Sequence, residues 1–212
     1  MYNRLQYISQ GITVEEQLFN IHQALDNGCD WIQMRYKKQF SDDTFKLAEA
    51  VKMLCAEYLA TFIINDNVYL TQQMDADGVH LGLTDMSILE ARSILGEAKI
   101  IGGTANTYED ILSHVSNGCN YVGLGPFRFT TTKENLSPVL GLDGYKSILD
   151  QLKQAEITIP IYAIGGIKLD DVESIVKTGI HGIATSGLIT ESDFKTKLIT
   201  QLNEKLYGYV LI

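Results

Sequence analysis

Arg35 and Lys37 stand two residues apart in Gln33-Met34-Arg35-Tyr36-Lys37-Lys38, and in an extended segment that spacing sends Gln33, Arg35 and Lys37 to one side. Two cations converging in this way form either an anion site or a solvated rim, and the rim is the reading favoured for Lys38. Asp66, in Ile63-Ile64-Asn65-Asp66-Asn67, and Asp85, in Gly82-Leu83-Thr84-Asp85, are placed to share a hard cation. Mg²⁺ takes one or two protein carboxylates and completes its octahedron with phosphate oxygens and water. The competing reading makes each Asp a helix cap.

A second group of residues suits phosphate. Gly123-Leu124-Gly125-Pro126-Phe127-Arg128-Phe129 runs into Thr130-Thr131-Thr132-Lys133-Glu134-Asn135, where three hydroxyls and a Lys beside Arg128 fit a polyphosphate or make an ordinary polar loop. Ala163-Ile164-Gly165-Gly166-Ile167 and Ala184-Thr185-Ser186-Gly187 carry small residues, which let a phosphate approach backbone N–H groups. His22 and His114 fall on helical stretches, His181 on a turn and His80 at a strand end, where a structural role is expected. No histidine gathers with an acid or nucleophile, so neither a Ser-His-Asp constellation nor a histidine metal motif is expected.

The elements that must position these residues emerge from an internal repeat. Asn27-Gly28-Cys29-Asp30-Trp31-Ile32, Met74-Asp75-Ala76-Asp77-Gly78-Val79, Asn117-Gly118-Cys119-Asn120-Tyr121-Val122 and Thr178-Gly179-Ile180-His181-Gly182-Ile183 each follow a helix-like stretch and enter an apolar strand. The second positions lie 47, 43 and 61 residues apart, too far for one β–helix unit of about 30 residues and suited to two. Intervening strands are expected at Leu5 to Ser9, Thr61 to Ile64, Lys99 to Gly103 and Ile159 to Ile164. Helices are expected over 42–58 and 170–177.

Eight strands alternating with eight helices predict an α/β protein, a single (β/α)8 TIM barrel covering residues 1–212, with an open doubly wound sheet as the alternative. In a barrel, functional residues gather on the loops after the strands. The extended loop after strand 6, up to about Gly144, accounts for the longest spacing. A phosphomonoester is expected between the loops after strands 7 and 8.

Composition narrows the partners. In 212 residues, 17 Lys and Arg stand against 26 Asp and Glu, a formal charge of −9, which argues against nucleic acid and anionic membranes as partners. Hydrophobic residues at 45% supply a core. No window reaches the roughly 18 apolar residues of a membrane span, and the start lacks a long apolar stretch, so a cytoplasmic location is expected. Cys29, Cys55 and Cys119, an odd number without C-x-x-C spacing, read as buried, unreactive thiols.

QMRYK at 33–37, FIINDN at 62–67, ADGVHLG..D at 76–85, IIGGT at 100–104, YVGLGP...TTTK at 121–133, AIGGI at 163–167 and the strand-8 turn occur in that order. This set resembles the thiamine phosphate synthases over nearly the whole chain. The resemblance implies a Mg²⁺-dependent transferase joining 4-amino-2-methyl-5-hydroxymethylpyrimidine diphosphate to 4-methyl-5-(2-hydroxyethyl)thiazole phosphate, releasing pyrophosphate. Arg35, Lys37 and Lys133 would then be catalytic, and Gln33, Arg35, Lys37 and Asn65 would hold the pyrimidine diphosphate. Asp66 and Asp85 would bind Mg²⁺. Thr130, Thr132 and Lys133 would close over the substrates, and Gly166, Ser186 and Gly187 would take the thiazole phosphate.

The chain departs from the family pattern at several points. Thr104, also assigned to substrate binding, stands where Ser is usual, Leu83 where Gln is usual, and Ser186-Gly187 where the family has Val-Ser or Ile-Ser. Phe127-Arg128-Phe129 replaces Ile-Phe-Pro or Ile-Tyr-Pro, so that Arg128 either adds a cation to a phosphate or faces solvent. Related alternatives are a thiazole tautomerase-like isomerase and a non-catalytic thiamine phosphate-binding barrel. An isomerase has no pyrophosphate to hold and would not need Arg35, Lys37, Asp66, Asp85 and Thr-x-Thr-Lys together.

Overall fold

Each repeat ends a helix at its second position. Gly28, Asp75, Gly118 and Gly179 all have positive φ, at 96°, 51°, 81° and 101°, a conformation that turns the chain out of a helix and that Gly adopts without steric cost. The computed structural model describes residues 2–36, 42–129 and 138–208. Lys37, Thr130, Thr132 and Lys133 lie outside the described residues.

The four repeats lead into β2 (Trp31–Met34), β4 (Gly78–Leu81), β6 (Tyr121–Leu124) and β8 (Gly182–Thr185). Between them run β1 (Leu5–Ile8), β3 (Thr61–Asn65), β5 (Ile100–Ala105) and β7 (Ile161–Ile164). All pairings are parallel, and the ladder closes where Leu5, Gln6 and Tyr7 of β1 face Ile183, Ala184 and Thr185 of β8. That last pairing makes the sheet a (β/α)8 barrel and excludes the open alternative.

The helices are α1 (Val14–Asp26), α2 (Asp42–Glu57), α3 (Val68–Met74), α4 (Ile88–Leu95), α5 (Tyr108–Ser116), α6 (Gly141–Gln154) and α7 (Val172–Lys177), followed by α8 (Gly187–Thr190) and α9 (Lys195–Tyr207). A 3₁₀ turn, Leu169–Asp171, precedes α7. The expected one helix per strand is therefore corrected at the last unit, which carries two. Helix α8 starts directly after β8, buries Ile189 and ends at Thr190, whose hydroxyl bonds the Tyr7 phenol at 2.8 Å. The chain then turns again before α9 covers the barrel.

Helix starts follow local sequence. Thr13 with Glu16, Ser87 with Glu90 and Thr107 with Asp110 form capping boxes, each cap contributing on the order of 1 kcal/mol.

Strand alternation divides the interior into two layers. Ile32, Met34, Ile64, Val122, Ala163 and Ile183 pack outward against helical residues such as Ile21, Leu47, Ile148 and Leu202. Trp31, Ile63, Tyr121, Tyr162 and Ala184 fill the barrel itself. The three rings meet edge to face, Trp31 at 5.1 Å from Tyr121 and 5.2 Å from Tyr162 between centroids, a favoured aromatic geometry. Rings of this size fit because Gly102 and Gly182 face them: a Cβ on Gly102 would lie 2.2 Å from Tyr121 Cζ, and one on Gly182 would lie 2.8 Å from Tyr162 Cε1.

Candidate active site

Above this aromatic floor the inward positions turn polar. Gln33 and Asn65, two residues beyond Trp31 and Ile63, join through Gln33 Nε2 donating to Asn65 Oδ1 at 2.6 Å. Gln33 Oε1 is buried with no partner among the described residues, and a buried acceptor left unpaired costs about 1–3 kcal/mol unless water or ligand meets it. The residue thus fits a place where a substrate donor completes the network.

A second polar chain crosses the barrel. Gln6 Nε2 donates to the Tyr121 hydroxyl at 3.1 Å, that hydroxyl lies 3.1 Å from His80 Nδ1, and His80 Nε2 lies 3.0 Å from Thr104 Oγ1. Burial raises the Tyr121 pKa, so the phenol keeps its proton. With the phenol donating a hydrogen bond to Nδ1, Nε2 carries the imidazole hydrogen and donates to Thr104. His80 therefore positions the hydroxyl of a predicted substrate-binding residue. Sequence reasoning left His80 as a structural residue; the inward parity of Gly78 and His80 against outward Val79 and Leu81 was the available signal.

Asp66 and Asp85 follow the adjacent strands β3 and β4. Neither is a helix N-cap: Asn67 caps α3 by accepting from Leu70 N at 2.9 Å, and Ser87 caps α4. Asp66 instead takes a left-handed conformation with φ 64°, its N–H donating to His80 O at 2.8 Å. Asp85 Oδ2 accepts from Gly82 N at 2.7 Å. Among the described residues no group of three or more His, Cys, Asp or Glu could hold a metal. Two carboxylates at neighbouring strand ends nevertheless suit Mg²⁺, whose remaining ligands are phosphate and water.

Arg35 is held through its backbone. Its N–H donates to Ser9 Oγ at 2.9 Å, and its carbonyl accepts from Gln17 Nε2 at 3.0 Å. Gln17, buried on α1, thereby ties the loop after β2 to the first helix. This support has no local signature in the sequence, because its two partners come from the end of β1 and from α1, 26 and 18 residues away.

On the other side of the barrel, Gly165 and Gly166 follow β7 with φ 89° and 67°, and Ser186 and Gly187 follow β8. The Ser186 hydroxyl is buried and has no hydrogen-bond partner among the described residues. Among the described residues, no carbonyl or side chain accepts from the N–H groups of Gly165, Gly166, Ser186 or Gly187. The arrangement offers backbone donors and one hydroxyl to an anion.

Arg128 has a protein partner while its side chain stays partly open to solvent. Its guanidinium forms a bidentate pair with Asp171, Nη1 to Oδ2 at 2.8 Å and Nη2 to Oδ1 at 2.9 Å, and Nη1 also donates to Gly166 O at 2.7 Å. The pair holds the Asp171 carboxyl below its ordinary pKa.

The remaining candidates are structural. Arg92 is buried and donates to Gly96 O, Lys99 O, Gly118 O and Asn120 Oδ1. The expectation that every histidine stands apart from acids is corrected at His22, which lies 3.7 Å from Asp26 and 3.1 Å from the Tyr58 hydroxyl. Helices α1 and α2 bring these three together on an exposed surface away from the strand ends.

Burial pushes Cys29, Cys55 and Cys119 up to about 12. All three thiols are expected to resist an aromatic disulfide reagent at pH 8 in the native protein and to react together in urea. Cys29 and Cys55 are buried as expected, whereas Cys119 is only half-buried; rapid native labelling of any of them would contradict the assignment as inert thiols.

Comparison with known proteins agrees with this architecture. The family described as thiamine monophosphate synthase matches residues 5–189. The chain is 68% identical to the thiamine-phosphate synthase of Flavobacterium johnsoniae over 212 residues, all of both chains, and 68% identical to that of Flavobacterium psychrophilum over 97% of this chain and 100% of the relative. The solved thiamine phosphate pyrophosphorylase of Pyrococcus furiosus superposes with a TM-score of 0.83 at 29% identity, covering 97% of this chain and 96% of that one. With the barrel and its strand ends in place, these matches show that the chain belongs to the thiamine monophosphate synthase family.

Proposed function

We propose that the protein couples 4-amino-2-methyl-5-hydroxymethylpyrimidine diphosphate to 4-methyl-5-(2-hydroxyethyl)thiazole phosphate, giving thiamine phosphate and pyrophosphate, with residues 1–212 acting as one catalytic barrel. Family membership makes the chain a transferase; the substrate pair and the path are our reading. What supports it is that two unlike sets of residues stand at the strand ends of one barrel face, each of a chemistry that suits phosphate. One has Arg35, Asp66 and Asp85 after β2 to β4; the other has N–H groups after β7 and β8 that donate to no protein group among the described residues.

Two carboxylates would repel a diphosphate on their own. Mg²⁺, when bound by Asp66 and Asp85, would offset that charge and stabilise the leaving pyrophosphate. Arg35 adds a fixed cation to the same group. Lys37, Thr130, Thr132 and Lys133 belong to this site by resemblance, with Lys133 on the pyrophosphate. Gln33, Asn65 and Thr104 orient the pyrimidine; Gly166, Ser186 and Gly187 hold the thiazole phosphate.

Electron release from the aminopyrimidine lets the methylene C–O bond ionise, with its electron pair leaving on pyrophosphate. The thiazole nitrogen then donates its lone pair to the methylene carbon. The protein needs no base for this sequence. Its contribution is preorganised charge and orientation, and the exclusion of water from the cation.

Incubating the protein with both precursors should yield thiamine phosphate and equimolar pyrophosphate with Mg²⁺ and neither product without it. No product in the presence of Mg²⁺ would overturn the reading, whether the protein instead isomerised a thiazole carboxylate or only bound thiamine phosphate. No helix among the described residues is long and apolar enough to cross a membrane.

A further inference from the structure

We propose that Arg128 is a positioning residue which, together with Asp171, orients the Gly165–Gly166 turn toward a phosphomonoester without itself touching the phosphate. The inference rests on the reading of that turn as the thiazole phosphate site. Three successive carbonyls leave β7 and all are engaged by the segment after β6. Ile164 O accepts from Phe127 N at 2.8 Å, Gly165 O from Arg128 N at 3.0 Å, and Gly166 O from Arg128 Nη1 at 2.7 Å.

With every carbonyl turned to that side, the N–H groups of Gly165, Gly166 and Ile167 are what the turn has left to offer. None of the three donates to a protein group among the described residues. Gly165 and Gly166 hold positive φ, at 89° and 67°, and without side chains they let a ligand approach the backbone closely.

The Asp171 carboxylate keeps the guanidinium on Gly166. It grips both terminal nitrogens of Arg128, and its Oδ2 also accepts Lys168 N–H at 2.8 Å. The far end of the turn is thus tied to the same ion pair. Arg128 lies over the Phe127 ring at 5.2 Å, and Phe127 packs on Tyr145 of α6 at 5.7 Å between centroids. A bidentate pair of this kind has both direction and charge complementarity. Having its charge met by Asp171, Arg128 differs from a cation waiting for phosphate. Contact between the loops is close: a Cβ on Gly166 would lie 3.0 Å from Arg128 Cβ and from Phe129 O.

The sign of the Asp171→Asn effect separates this role from direct contact. In a positioning role, Arg128→Ala and Asp171→Asn each raise KM for the thiazole phosphate about tenfold, within the hundredfold that a misplacement of about 1 Å can produce. The KM for the pyrimidine diphosphate and kcat at saturation stay within about twofold, and KM for the unphosphorylated thiazole alcohol does not change. If Arg128 touched phosphate directly, removing the Asp171 charge would free the guanidinium and lower the thiazole phosphate KM.

A lower or unchanged KM in Asp171→Asn overturns the proposal. A uniform loss in kcat and both KM values, accompanied by a lower melting temperature, overturns it in favour of a general structural role. Titration calorimetry with the thiazole phosphate alone keeps the test independent of coupling activity. If wild-type protein binds it but forms no product, the functional reading fails; equal affinity in wild type and Asp171→Asn then refutes the clamp separately.

Discussion

Asp66→Asn is expected to lower kcat at saturating substrates by about two orders of magnitude or more, the scale of losing a preorganised electrostatic partner, while the unfolding midpoint stays near wild type. The choice of Asn follows from the backbone. Asp66 sits at φ 64°, where Asn is tolerated and where a left-handed L-residue such as Ala costs roughly 1–2 kcal/mol. Asp66→Ala would therefore mix lost charge with strain, whereas Asp66→Asn keeps the turn and the Asp66 N–H bond to His80 O. The same variant should require more Mg²⁺ to reach half-maximal rate. Near-normal turnover at ordinary Mg²⁺ would remove Asp66 from the metal pair and with it the electrostatic core of the proposed reaction.

The largest expected effect on stability comes from the barrel floor. Gly102→Ala should destabilise the protein by about 3 kcal/mol, the upper end for over-packed cores. The added Cβ would stand 2.2 Å from Tyr121 Cζ and 2.4 Å from Cε1, and that ring has nowhere to go. Trp31 and Tyr162 flank it, Gln6 and His80 hold its hydroxyl, and it is fully buried. Urea unfolding measures the loss; a wild-type midpoint would show that the ring has room. Gly102→Ala combined with Tyr121→Leu removes the colliding atoms and should recover part of the stability without recovering activity, because His80 loses the hydroxyl that orients it toward Thr104.

Arg128 shows where reading along the chain reaches its limit. Its neighbours Phe127, Phe129 and the threonines leave phosphate and solvent as equal choices. Its partner in the fold, Asp171, is 43 residues away, beyond any periodicity or spacing. Asp66 and Asp85 illustrate the same limit from another direction: each precedes a helix and is chemically able to cap it. Asn67 and Ser87 hold the cap positions instead. His80 stood closer to recognition, since alternation in Gly78-Val79-His80-Leu81 already turns it inward.

The sequence by itself determined the eight strands, the helix endings and the family. Those features are local: a residue tolerant of positive φ at 28, 75, 118 and 179, an apolar run after it, and short motifs at the strand ends. Tertiary structure alone decided closure, which depends on β1 meeting β8 across almost the whole chain. It also decided the pairing of Gln33 with Asn65, the Gln6–Tyr121–His80–Thr104 chain, the backbone support of Arg35 and the Arg128–Asp171 clamp. A hydrogen bond depends on distance and direction between groups that the chain brings together only on folding. Residue type and spacing therefore identified which side chains could act, and closure of the barrel selected their partners.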